Sequence, residues 1–289
     1  MNISMKHLVI TILSIFLALA LGIFIGIVIN TGNSIETQTG NIIKQIEDQL
    51  QYLRDENNKN KENIKRLEKE NNQLDYALGN MSNKLINEQL TGKTLSIISL
   101  NEDIDSENIK SILINTGVEI KSNVKIKNDF YKQKKKIEEI FKGLELEYDN
   151  IYDSTALELS KVVLNSESSD LIVKLVENDL IEFEGDYFGY PEEVVILGGN
   201  NTKELADSEF KTKLFESLKN SERPVLGIQE SNMKNSDIEE FKQYGFSTVD
   251  NVDTNTGKLS MVVALKGIRG NYGQNDSDDI VVPDLTILD

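Results

Sequence analysis

Cysteine and tryptophan are absent from the 289 residues, histidine occurs once and proline three times. Without cysteine the chain has no disulfide framework, no thiolate nucleophile, no iron-sulfur ligation and no cysteine-type zinc site. The one imidazole, His7, stands near the start, so Ser-His and Cys-His dyads, histidine-rich metal sites and HExxH catalysis are excluded as well. Positive charge is also scarce. Lysine and arginine number 31 against 48 aspartates and glutamates, a formal charge of -17. What remains for chemistry is carboxylates, lysines, hydroxyls and shape. Hydrophobic residues make up 39%, enough for an ordinary core if evenly spread, but they are concentrated at the start.

From Leu8 to Ile29 the run LVITILSIFLALALGIFIGIVI carries no charge, and Thr11 and Ser14 are its only polar side chains. As a helix, 22 such residues rise about 33 Å, enough for a hydrocarbon core of about 30 Å. The run reads as a transmembrane helix. A cleaved secretory signal is the rival reading, because Lys6 supplies a short basic start and Ala18-Leu19-Ala20 imitates a cleavage site. The apolar stretch is longer than a signal requires, which favours the uncleaved anchor. Lys6 before the helix, with no lysine or arginine from Asn30 to Asn41, puts the N-terminus in the cytoplasm and the remainder outside it. Ala18, Gly22 and Gly26 recur every four residues. This small-residue ridge is either a helix-pairing face or the ordinary glycine and alanine content of membrane helices.

After a loop-like TGNS (Thr31 to Ser34), apolar residues alternate at spacings of three and four. With Ile43 as heptad position a, the a series is Ile43, Leu50, Asn57, Ile64, Asn71, Leu78 and Leu85. The d series is Ile46, Leu53, Asn60, Leu67, Leu74 and Met81. Uninterrupted heptads with charge outside predict a left-handed coiled coil. Asn57 and Asn71 at a positions favour a parallel homodimer in fixed register, because a buried asparagine pairs best with its own copy. The flanking charges are mixed: Glu56 would face Lys61 favourably, but Glu70 would face Asp75. A hetero-partner, pairing with the distal domain and a monomeric charged helix stay open. Thr91-Gly92 is the expected end of the helix.

The expected domains are residues 1–32 (cytoplasmic start and anchor), 33–92 (stalk) and 93–289 (an extracytoplasmic domain). The last segment holds 22 basic and 38 acidic side chains, so the acid of the chain is concentrated there. That balance argues against nucleic acid, whose binders need a basic footprint. The segment alternates strands and helices. Strands are expected at residues 94–100, 193–197, 224–229 and 259–265. Helices are expected at residues 106–116, 130–142, 156–164, 170–180, 210–218 and 236–244. The pattern predicts an α/β fold, a mostly parallel three-layer domain with helices on both faces of the sheet.

Several clusters in this domain admit two readings. Gly198-Gly199 follows a predicted strand, where open α/β sheets bind ligands, and is either a ligand-cradling loop or a tight turn. Asp276, Asp278, Asp279 and Asp284 are either hard-cation ligands or a solvated acidic tail. Seven lysines from Lys121 to Lys136 are either a contact for an anionic wall polymer or a solvated helix face. Tyr187, Phe188 and Tyr190 form either a partner hot spot or a lid over the strand at Glu193.

Two stretches carry a family resemblance. FLALALGIFIG (Phe16 to Gly26) resembles the anchor of the MctB copper-transport family, and VDNVDTNTGKLSMVVALKGIRGNYG (Val249 to Gly273) resembles its other recurrent stretch. The order of anchor, coiled coil and α/β domain is also similar. The resemblance implies either copper efflux or, as in SteB-type members, a coiled-coil envelope factor beside a membrane partner in division and peptidoglycan remodelling. Cu(I) sites favour Cys and Met and Cu(II) sites favour imidazole. Beyond the anchor this chain offers only Met81, Met233 and Met261. The expectation is therefore a single-pass, dimeric, non-catalytic envelope scaffold without cofactor or resident metal, acting on a membrane or wall-remodelling protein. Copper homeostasis and a carboxylate-based hydrolase are the alternatives.

Overall fold

The computed structural model describes residues 5–165, 169–185, 189–202, 209–273, 280 and 283–288. The chain falls into two compact units, Met1–Gln73 and Leu74–Asp289. Every described residue of the first unit belongs to one helix, α1 (Met5–Ile86), whose last turns lie in the second unit. Lys6–Ile29 is long and apolar enough to cross a membrane, and none of it is buried within the chain. The break expected at Thr31 to Ser34 is absent, and the backbone stays helical through it. One glycine and no proline in that stretch leave nothing strong enough to stop a helix already propagating from both sides.

In the second unit α1 ends at Ile86, short of the expected Thr91-Gly92. The chain turns through Glu88 (φ 58°) and Gly92 (φ 85°). The Glu88 and Leu90 amides are taken by the Asn115 and Thr116 carbonyls at the end of a neighbouring helix. There follow β1 (Thr94–Ser99), α2 (Ser106–Asn115), β2 (Glu119–Ile126), α3 (Lys134–Gly143), α4 (Ile151–Asn165), α5 (Asp170–Glu177), β3 (Ile181–Gly185) and β4 (Glu193–Leu197). The chain continues through α6 (Glu209–Asn220), β5 (Val225–Ile228), α7 (Ile238–Gln243), β6 (Ser247–Val249), α8 (Asn255–Leu265) and β7 (Asn271–Tyr272).

The seven strands are ordered β3-β2-β1-β4-β5-β6-β7. All neighbours run parallel except β3, which is antiparallel to β2. Strand alternation sends residues to two cores. Ile98, Val194 and Ile196 join the core beneath α3 to α7. Leu95, Ile97, Val195 and Leu197 join the core beneath α2, α8 and the end of α1. Helices thus cover both faces of a mostly parallel sheet, the three-layer arrangement expected.

Two further expectations are corrected. Residues 259–265, read as a strand, form most of α8. This helix is buried almost all round, so LSMVVAL shows no amphipathic period, and a short apolar run looks the same as a buried strand. Its start is fixed by Thr254, whose hydroxyl accepts from the Gly257 amide at 3.0 Å. The lysine-rich stretch is not one helix face. Lys121 and Lys125 lie on β2 and Lys127 just beyond it, and they pair with Glu119, Glu182 and Glu102. Lys132 ends a short 3-10 helix (Asn128–Lys132), and only Lys134, Lys135 and Lys136 stand on an α-helix, α3.

Candidate functional site

Two regions hold most of the residues singled out by sequence: a stripe along α1, and the carboxyl edge of the sheet. Along α1 the heptad residues Ile43, Ile46, Leu50, Leu53, Ile64 and Leu67 are each 48–57% exposed. Asn57, Asn60 and Asn71 are exposed with them. In the membrane-length segment Ala18, Gly22 and Gly26 are also exposed. Nothing lies within 4 Å of a Cβ built on either glycine. Away from this stripe Arg66 pairs with Glu70 one turn on, at 3.1 Å.

In the second unit Leu74, Leu78 and Met81 continue the exposed stripe. Leu85 does not, for it packs against the core shared with Ile86 and Leu90. This final a position leaves the exposed stripe because the fold beside it already covers it. On an adjacent face of α1, Asn255 Nδ2 donates to the Asp75 carbonyl at 3.0 Å and to its carboxylate at 2.7 Å. The Ser82 hydroxyl reaches Asn255 Oδ1 at 3.4 Å. Gly79 faces that asparagine, and a Cβ there would make ordinary van der Waals contact with it, 3.4 Å from Asn255 Oδ1. This clamp was not foreseen. Gly79, a glycine inside a helical heptad run, was its one visible signal.

At the carboxyl edge, Gly198-Gly199 closes tightly over its own neighbours. The Gly198 amide donates to Ile228 O at 2.9 Å, and the Gly199 amide donates to Asp237 Oδ2 at 2.7 Å. A Cβ on Gly198 would meet Phe241 Cζ at 2.5 Å; one on Gly199, where φ is +80°, would meet Met233 Cγ at 2.8 Å. Asn101 Nδ2 donates to Gly199 O at 2.9 Å, and Asn200 and Asn235 exchange backbone hydrogen bonds. Beneath the turn Lys211 Nζ lies 2.5 Å from Asp237 Oδ1 and 3.3 Å from Glu240 Oε2, with the Lys211 and Asp237 side chains 2% and 4% exposed. A buried pair this close holds the turn from below, and neither partner was picked out by sequence.

The loops beyond the strands are acidic and interlocked. Asp103 Oδ2 accepts from the Asn201 amide at 2.7 Å, Glu230 accepts from the Asp105 amide, and Asp253 accepts from Ser231. Burial raises the Glu230 carboxyl above the ordinary range despite the Asp105 amide that donates to it, and Asp253 and Asp105 add like-charge repulsion. Among the described residues no group of three or more His, Cys, Asp or Glu is placed to hold a metal ion. The methionines serve other ends: Met261 is sealed in the core, Met233 packs against it beside Gly199, and Met81 stands on α1. Of the acidic tail, Asp276, Asp278 and Asp279 lie outside the described residues. Asp284 caps the Thr286 amide and hydroxyl, which hold its carboxyl below the ordinary value. Of the aromatic loop, Tyr187 and Phe188 lie outside the described residues, while Tyr190 is exposed beneath the Arg223 guanidinium, 5.5 Å from ring centre to Cζ.

A family model described as "Copper transport outer membrane protein, MctB" matches residues 2–283, nearly the whole chain. That description is of a copper transport protein and not of an enzyme family. Among curated proteins, none matches the chain.

Proposed function

We propose a function from one premise: the chain belongs to the copper transport outer membrane protein family MctB. On this reading it is a single-pass, membrane-anchored envelope protein. The anchor is Lys6–Ile29, the N-terminus is cytoplasmic, and α1 pairs in parallel with the α1 of a second copy. The α/β domain outside the membrane is a non-catalytic scaffold that engages or regulates a membrane or wall-remodelling partner. The observation that carries the reading is the mostly apolar a/d stripe of α1, interrupted by Asn57, Asn60 and Asn71 and left about half exposed from Ile43 to Met81, beside a membrane-length apolar segment. Burying the exposed half of one leucine or isoleucine is worth about 1 kcal/mol. With two chains contributing at each level, the nine apolar positions from Ile43 to Met81 supply on the order of 18 kcal/mol gross. That exceeds an association cost of about 4–15 kcal/mol. The type of partner rests on the family resemblance alone.

Since the chain contains no cysteine, single substitutions report the seam cleanly. In native membranes Leu53→Cys and Leu67→Cys, both d positions, are expected to give disulfide-linked dimers under mild oxidation. Glu62→Cys on the outer face is expected to give none. Equal crosslinking at all three positions, or none at the seam, would sink the parallel dimer. The family description favours a second reading, copper handling. The same purified full-length protein, dialysed against Cu(I) and Cu(II), separates the two. The scaffold reading expects no stoichiometric tight binding, and one tightly held copper per chain would replace it.

A further inference from the structure

Residues 93–289 contain two arginines, Arg223 and Arg269, and both reach one open groove at the amino edge of the parallel strands. The groove holds about 380 Å³ and is lined chiefly by Lys219, Arg223, Arg269, Tyr244 and Phe246, with Glu222 on its rim. It lies at the opposite end of the strands from Gly198-Gly199. The local fold explains the gathering. Lys219 stands in the last turn of α6, Arg223 follows the left-handed turn at Glu222 (φ 57°) that leads into β5, and Arg269 lies on the approach to β7.

Nine lysines of this unit are already neutralised. Lys110, Lys121, Lys125, Lys127, Lys161, Lys174, Lys211, Lys213 and Lys242 each have a carboxylate within 4.0 Å. Among the described residues Lys219 and Arg223 have no such carboxylate, although acidic side chains outnumber basic ones 38 to 22 in this part of the chain. They are positioned instead by rings. Lys219 Nζ lies 5.9 Å from the Tyr244 ring centre, and Arg223 stacks over Tyr190 while donating one N–H to Pro191 O. A guanidinium has five N–H donors, so most of the Arg223 fork is left for another acceptor. Arg269 is fixed by Glu193, which cancels its charge but orients it along the same wall.

Two cations held by aromatic faces in one groove, on a part of the chain with 38 acidic and 22 basic side chains, form a receptor for an anion of more than one charge. A phosphate monoester carries about -1.5 to -2 near neutral pH and presents three oxygens to an arginine fork and a lysine. We propose that this groove binds a phosphate-bearing ligand, its phosphate held between Arg223 and Lys219. The site is independent of whether α1 dimerises.

The test is calorimetric titration of the full-length protein, in an uncharged detergent, with inorganic phosphate, glycerol 3-phosphate and monomeric dihexanoyl phosphatidic acid, whose headgroup is also a phosphate monoester. The expected result is saturable one-to-one binding of at least one probe. Arg223→Gln and Lys219→Gln should each weaken it at least tenfold, Arg223→Lys should restore it in part, and Lys258→Gln should leave it unchanged. Preference for the lipid over glycerol 3-phosphate by tenfold or more assigns the phosphate to a headgroup, and the reverse assigns it to a soluble ester. No saturable binding of any probe, or equal binding by Arg223→Gln at an unchanged melting temperature, overturns the proposal.

Discussion

Lys211 and Asp237 bear directly on whether the turn at Gly198-Gly199 is structural. Their side chains are 2% and 4% exposed and the charged atoms are 2.5 Å apart. Removing one partner of such a pair leaves a buried charge and typically costs about 3–5 kcal/mol, whereas replacing both can be close to neutral. Asp237→Asn keeps the shape and an acceptor for the Gly199 amide, and Glu240 remains 3.3 Å from Lys211. Its cost should therefore fall near the lower limit, about 3 kcal/mol. Lys211→Met strips the carboxylate of its ammonium and leaves it facing Glu240, so about 4 kcal/mol is expected. The double variant should cost less than about 2 kcal/mol, which makes the coupling about 5 kcal/mol. In a unit of this size about 1 kcal/mol moves the melting temperature by about 2–4 °C, so each single variant should melt on the order of 10 °C lower. Urea unfolding followed by near-ultraviolet circular dichroism reads chiefly the packed tyrosines of the α/β unit, since Tyr52 and Tyr76 of α1 are exposed. Additive single costs, or a single cost below about 1 kcal/mol, would refute the view that this pair holds the turn.

Two further predictions concern the edges of the same unit. Burial raises the Glu193 carboxyl above its ordinary value of 4.5, although Arg269 opposes the shift. A raised acid contributes stability that is full below 4.5 and is lost as pH rises through the folded-state value, so Glu193→Gln should flatten the fall in melting temperature across that window. Parallel profiles for the two proteins would contradict this. Asn255→Ala removes the hydrogen bonds to Asp75 and Ser82, worth about 1–2 kcal/mol. Amide exchange should then accelerate about tenfold in residues 74–86 and stay unchanged in β1; a uniform change, or none, would show that Asn255 does not secure those turns.

How far the fold could be read from sequence depended on what each element presents to its neighbours. β4 was legible to the residue because EVVIL is buried on both faces and bounded by proline on one side and two glycines on the other. α8 was misread for the same physical reason turned around: a helix buried all round and a strand buried on both faces leave similar apolar runs. β2 was missed because Lys121 and Lys125 interrupt EIKSNVKI. Their acidic partners include Glu182 on β3, more than fifty residues away, and such a pairing is invisible in the local pattern. The candidate site follows suit. Gly198-Gly199 announces a turn, but Lys211 and Asp237, which hold it, are separated by 26 residues and lie on or beside different helices. The groove cations were hidden because Lys219, Arg223 and Arg269 form no run.

The heptad register also explains how a helix can serve two surfaces. With Ile43 at a, the residues that the α/β unit engages at the end of α1 are Asp75 and Ser82 at e and Gly79 and Ile86 at b. Leu74, Leu78 and Met81 occupy d, a and d, and they stay exposed. Docking and the proposed self-association therefore use neighbouring faces and do not compete until Leu85, an a residue already packed against the core. In the proposed parallel dimer, Ser82 at e would oppose Ala77 at g of the other copy, and two small side chains at that level leave space where the fold crowds the seam. The seam must then end at Met81, one level short of where the apolar period alone would carry it. A cysteine at position 78 should crosslink as readily as one at 67, and one at 85 should not, because its side chain is committed to the core of its own chain.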